Sequence, residues 1–157
     1  MNEVAIRIKA RFENFGFREV VAPQNKLPGE ILLLKRQTWN TNRAVVLLEI
    51  TEPPPDMAAF LKQVRGTVAR RVKFIPFLYG VGIQVIVMCP GITTAIQEPH
   101  DYVAKVDNQW AIVQSLYLID PRKREYLSGK TWGQVITGKF QSAIEETVSE
   151  LYRNARV

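Results

Sequence analysis

At 157 residues, 46% hydrophobic and 23% charged, the chain has the length and balance of one globular domain with a full core, which excludes a disordered segment. Its one cysteine, Cys89, excludes a disulfide framework. Met1-Asn2-Glu3 offers neither the basic nor the apolar region of an export signal, so a cytoplasmic location is expected.

Asn2 is a good helix N-cap, and Val4, Ile8, Phe12 and Phe15 follow on one helical face. This predicts a helix over about residues 3–14, ended by Asn14 and Gly16. Phe17–Ala22 reads as a strand closed by Pro23, and Lys26-Leu27-Pro28-Gly29 as a turn. Glu30–Arg36 and Arg43–Ile50 contain Ile31–Leu34 and Ala44–Leu48, runs that are apolar on both faces. They predict two strands covered on each side, joined as a hairpin through Thr38-Trp39-Asn40-Thr41-Asn42. Pro53-Pro54-Pro55 ends the pairing, because proline offers no N–H to a ladder. Asp56 then caps a helix with the stripe Met57, Phe60, Leu61, Val64, Val68, Val72 and Ile75, stopped by Pro76.

Phe74–Gln97 carries no charge, but Pro76, Gly80, Gly82, Gln84, Pro90 and Gly91 interrupt it. A membrane span needs about 20 unbroken apolar residues, so no membrane partner is expected. Gly82–Cys89 is a fourth strand and Pro90-Gly91 a turn. Residues 92–108 are ambiguous, with Pro99–Lys105 as a short helix. Trp110–Ile119 and Glu125–Leu127 read as strands either side of Asp120-Pro121-Arg122-Lys123, a type I turn sequence. A last helix from about Gly138 to Arg153 turns Phe140, Ile144, Val148 and Leu151 inward and Glu145, Glu146 and Glu150 outward. The order α-β-β-β-α-β-(α)-β-β-α predicts an α/β (α+β) single domain over residues 1–157. Its mixed sheet should have five or six strands, with helices on both faces.

Most catalytic signatures are missing: there is no Gly-rich phosphate loop, dinucleotide fingerprint or nucleophile elbow. The single histidine, His100, excludes a metal site needing two imidazoles and reads as a solvated loop residue. Cys89, between Met88 and Pro90 in an apolar run, reads as core, because reactive thiols sit partly exposed near positive charge.

The net charge of +6 is unevenly placed. Residues 1–73 hold 13 Lys/Arg against 7 Asp/Glu, whereas residues 74–157 hold 8 of each. Within the basic half, Lys62, Arg65, Arg70 and Lys73 share a helical face opposite the apolar stripe, with Arg71 near the edge of the core and no acid after Asp56. Helices normally interleave glutamates with such cations, so this face points to an anionic partner, either nucleic acid or an acidic protein. Trp39, beside Asn40 and Asn42 at the hairpin tip, is the aromatic best placed to stack on a base. Arg122-Lys123-Arg124, bracketed by Asp120 and Glu125, reads as a solvated turn.

A pair of acids completes the candidates. If the hairpin turns about Trp39–Asn40, Glu30 lies opposite Glu49; a slip of two makes them diagonal neighbours. Either way two carboxylates come within about 5–8 Å. Like charges so placed destabilise a sheet unless a divalent metal, Lys26, Arg18 or open solvent attends them.

Over residues 3–89, the order helix, three antiparallel strands, helix, strand resembles the core of the restriction-endonuclease-like nuclease superfamily. That family places an acid on its second strand, often after a proline, and Asp/Glu-x-Lys on its third. The acids hold Mg²⁺ and the lysine assists the attacking water. Pro28-Gly29-Glu30 resembles the first element, displaced by one residue, and Glu49-Ile50-Thr51 the second, with threonine at the lysine's place. The resemblance with its missing lysine implies a non-catalytic or degenerate nuclease-like domain with no cofactor, and the basic N-terminal half adds the expectation that it binds an anionic partner. The alternative is a nuclease using Mg²⁺ or Mn²⁺ held by Glu30 and Glu49. A third reading, from another class, is a protein-interaction or homo-oligomeric domain whose basic surface is incidental.

Overall fold

The computed structural model describes residues 2–21, 27–37, 41–72, 80–105, 111–130 and 134–156. Asn2 opens the first helix, α1 (Glu3–Asn14): its Oδ1 accepts from the Ala5 N–H at 2.9 Å, while Val4, Ala5, Ile8 and Phe12 are buried. A two-residue strand, β1 (Arg18–Glu19), follows, then β2 (Glu30–Gln37) and β3 (Thr41–Glu49). Asp56 caps α2 (Met57–Arg71) through the Ala59 N–H at 3.0 Å. The rest is β4 (Gly80–Met88), α3 (Ile92–Ala95), α4 (Pro99–Lys105), β5 (Ala111–Asp120), β6 (Glu125–Lys130), α5 (Gln134–Leu151) and β7 (Arg153–Asn154).

Among the described residues, seven strands form one mixed sheet in chain order, β1 to β7. The pairs β1–β2, β2–β3 and β5–β6 are antiparallel, and β3–β4, β4–β5 and β6–β7 are parallel. Alternate side chains of β3 feed two cores: Ala44, Val46 and Leu48 pack with α2, α3 and α4, and Val45 and Leu47 with α1 and α5. Residues 44–48 are at most 3% exposed, and Leu32, Leu33 and Leu34 are buried as well. Helix-covered strands of this kind carry continuous apolar runs, as the sequence of the hairpin predicts. On the α1/α5 face, Phe12, Phe17 and Phe140 meet as a ring cluster with centroids 5.0–5.9 Å apart. At its rim Arg7 reaches Glu150 at 2.9 Å and Arg11 reaches Glu146 at 3.1 Å. Such exposed pairs contribute at most about 1 kcal/mol each, so the rings dominate this interface.

The α/β class with helices on both faces agrees with the sequence; the strand count does not. Among the described residues seven strands replace five or six, because β7 is too short to leave a periodic signal. The first strand is Arg18–Glu19, both exposed, instead of Phe17–Ala22; Ala22 lies outside the described residues. β6 runs on to Lys130 and α5 begins at Gln134, earlier than expected. Residues 92–108 contain α3 as well as the expected α4. His100 is exposed but helical, because α4 lies close over β6: a Cβ on Gly129 would stand 2.5 Å from the His100 nitrogen. Glu145 does not face outward. The Tyr126 hydroxyl donates to its Oε1 at 2.6 Å and Lys130 stands 3.4 Å from its Oε2, tying α5 to β6. Among the described residues, no helix is long and apolar enough to cross a membrane.

Candidate functional site

The site builds from the β2–β3 hairpin, whose register places Glu30 opposite Glu49. Leu32 and Leu47 pair two positions along and face α1 and α5, so strand periodicity sets the Glu49 side chain on that face, at the sheet end; the Glu30 side chain lies outside the described residues. Gly29 holds the two strands close. Its φ is +83°, and a Cβ there would stand 1.8 Å from the Glu49 carbonyl oxygen. Only glycine allows both that conformation and that approach.

Glu49 is exposed at the surface, and Asn2 is its partner. The Asn2 carboxamide caps α1 with its oxygen and donates from Nδ2 to Glu49 Oε2 at 2.8 Å. The carboxylate therefore lies at the N-terminal end of α1, where the helix dipole favours negative charge. The sequence offers arginine or lysine as the neutralising group, but Arg18 pairs with Lys35 in β1–β2, several positions from Glu30 along β2. Lys26 lies outside the described residues. Tyr152, just after α5, shares this corner. Burial raises its phenol pKa, Arg124 works against that, and the nearby Glu3 and Glu49 carboxylates add to the rise.

Beside Glu49, Pro28, Ile50, Pro53, Pro55 and Phe60 wall a pocket of about 400 Å³, with Thr51 and Glu52 also on its lining. The walls are apolar and the charged groups acidic, so a phosphate entering it alone would be repelled. Thr51 stands where the nuclease motif has lysine; its hydroxyl is neither a base at neutral pH nor a counter-charge for phosphate. Among the described residues, no group of three or more His, Cys, Asp and Glu side chains could hold a metal ion. At the same sheet end Asp120 is fully buried, but its oxygens accept from the Gly91, Arg122 and Lys123 N–H groups, which makes it a turn-former. Cys89 is buried, and burial, with Asp120 and Glu52 nearby, pushes its thiol pKa up to about 11. It is a core residue, as its flanks imply.

The basic face of α2 is narrower than the helical wheel predicts. Lys62 and Arg70 are exposed, the latter donating from Nε to the Gly66 carbonyl at 3.1 Å. Arg65 is buried. Helix α2 packs on α4 as well as on β4 and β5, so its covered arc is wider than its apolar stripe, and an arginine can bury its aliphatic stem in such an arc. Arg71 is exposed and donates to the Val21 carbonyl at 2.8 Å, so it ties α2 to the segment after β1. Lys73 and Trp39 lie outside the described residues.

One group escaped the sequence reading. The same hairpin register sets Arg36 opposite Arg43, and Arg43 then stacks on Phe140 of α5, its Cζ 5.1 Å from the ring centre. The arginine pair was as legible as the glutamate pair; the approach of α5 was not. Compared with known proteins, the chain matches no protein-family model, no curated protein and no solved structure.

Proposed function

We propose that the chain is a catalytically degenerate nuclease-like domain that binds an anionic partner, nucleic acid foremost, through its basic N-terminal half. The observation that carries this reading is the surroundings of Glu49: threonine follows where lysine is needed, and the carboxylate is held by Asn2 at a helix N-terminus. Binding is supported by the acid-free helix α2, which exposes Lys62 and Arg70. A second reading, a metal-dependent nuclease, draws on the direct opposition of Glu30 and Glu49 beside an open pocket.

The test is fluorescence anisotropy of labelled single-stranded and duplex oligonucleotides between about 50 and 200 mM salt, for wild type and Lys62→Glu/Arg70→Glu. Each lost phosphate contact reduces the salt slope by about 0.7–0.9. A weaker, flatter response in the variant supports the reading. Equal affinity and slope in the two proteins contradict it.

A further inference from the structure

The hairpin that begins on two glutamates ends on two arginines. Arg36 lies directly opposite Arg43, and like charges so placed cost a sheet stability unless something offsets them. Lys139 of α5 shares a ring with Arg43: its Nζ lies 5.0 Å from the centre of Phe140, on which Arg43 stacks, and 5.7 Å from that of Phe15. None of the three cations forms an ion pair with a carboxylate among the described residues. Arg36 passes Gly16 at the C-terminal end of α1, where a Cβ would be 3.9 Å from its Nε, so the helix dipole offsets part of one charge. Stacking on Phe140 holds Arg43 in place without neutralising it. Burial and the charge of Arg36 both lower the Arg43 pKa, the mark of a site short of negative charge.

We propose that Arg36, Arg43 and Lys139 form a binding site for a phosphoryl group, at the opposite end of the hairpin from the glutamates. A phosphate fits because its oxygens can take forked guanidinium bonds from two arginines while its second charge meets Lys139; a carboxylate would balance one charge of three. This inference rests on the anionic-partner reading and gives that partner a place away from the acidic pocket. The phosphoryl group can come from a nucleic-acid strand or from a small free phosphate, and the assay separates these sources.

Calorimetric titration with inorganic pyrophosphate is run on wild type, Arg36→Gln, Lys139→Gln and Arg36→Lys. Anisotropy with a 5′-phosphorylated and a 5′-hydroxyl oligonucleotide is run on the same proteins. The expected result is pyrophosphate binding that weakens about tenfold in Arg36→Gln and severalfold in Lys139→Gln, and that Arg36→Lys, which keeps the charge but not the fork, restores only in part. Thermal melting guards against misfolding. Relief of the arginine repulsion should leave Arg36→Gln as stable as wild type or more so, whereas a packing role would lower its Tm. Tighter binding of the phosphorylated oligonucleotide assigns the site to strand ends; equal binding of both assigns it to backbone phosphates. Pyrophosphate binding that depends on Arg36, with no oligonucleotide binding, keeps the site and removes nucleic acid as the partner. Oligonucleotide binding unaffected by Arg36→Gln and Lys139→Gln keeps the partner and overturns the site, as does absent or Arg36-independent pyrophosphate binding.

Discussion

Replacing Gly29 by alanine probes how closely the two glutamate-bearing strands are held. The residue sits at φ +83°, where an L side chain costs about 1–2 kcal/mol. The added Cβ would also stand 1.8 Å from the Glu49 carbonyl oxygen and 2.7 Å from its carbon, both backbone atoms that no rotamer change can move. Parting the strands adds an overpacking cost of about 1–3 kcal/mol. The sum, about 2–5 kcal/mol, is a large share of the roughly 5–15 kcal/mol that stabilises a domain. It corresponds to a Tm loss of about 4–20 °C at this chain length. Two other alanines separate the contributions. Gly91→Ala, at φ +79° with nothing within 4 Å of its Cβ, bears the backbone cost alone, about 1–2 kcal/mol. Gly66→Ala, inside α2 with the same open space, should instead stabilise by about 0.5–1 kcal/mol. Urea unfolding followed by circular dichroism measures all three. If Gly29→Ala loses no more than Gly91→Ala, the close approach is wrong and the geometry of the glutamate pair falls with it.

Cys89 should resist a thiol reagent in the native protein at pH 8 and react once urea unfolds it; rapid native labelling would show an exposed thiol. Because the folded thiol is raised to about 11 from the ordinary 9.0, the unfolded chain loses this proton first. Its contribution to stability is full below pH 9 and falls as pH rises towards 11, a slope that Cys89→Ala should remove from urea unfolding curves. Arg65→Ala should cost about 1–2 kcal/mol through lost packing of its stem, against no more than about 0.5 kcal/mol for Lys62→Ala; equal costs would return Arg65 to the solvent-facing row. Tyr126→Phe removes the hydroxyl that bonds Glu145 and should destabilise by about 1–2 kcal/mol in thermal melts, whereas an unchanged Tm would mean water replaces it freely.

The hairpin was the most legible part of the molecule. The apolar runs mark Leu32–Leu34 and Ala44–Leu48 as buried on both faces, but such runs leave the register open, and Glu30 opposite Glu49 was one of the two pairings the chain allowed. Arg65 was misread for a physical reason. A helical wheel assigns one buried face, but α2 packs on the sheet and on α4 together. Glu145 failed similarly, since its partners Tyr126 and Lys130 come from a strand whose length a short apolar run did not show. Asn2 was recognised as a helix cap, but its second bond, to Glu49, joins positions 47 residues apart and leaves no local signal. Lys139 joins the arginines only through the packing of α5 on the sheet, which periodicity does not specify.

Binding without cleavage is the central claim, and supercoiled plasmid incubated with the chain and Mn²⁺ tests it most directly. On a native gel the account predicts a retarded plasmid band that runs as intact supercoil once the protein is removed, for wild type and Glu49→Ala alike. Nicked circles that appear with wild type and vanish with Glu49→Ala would contradict it and make the glutamate pair a working metal site.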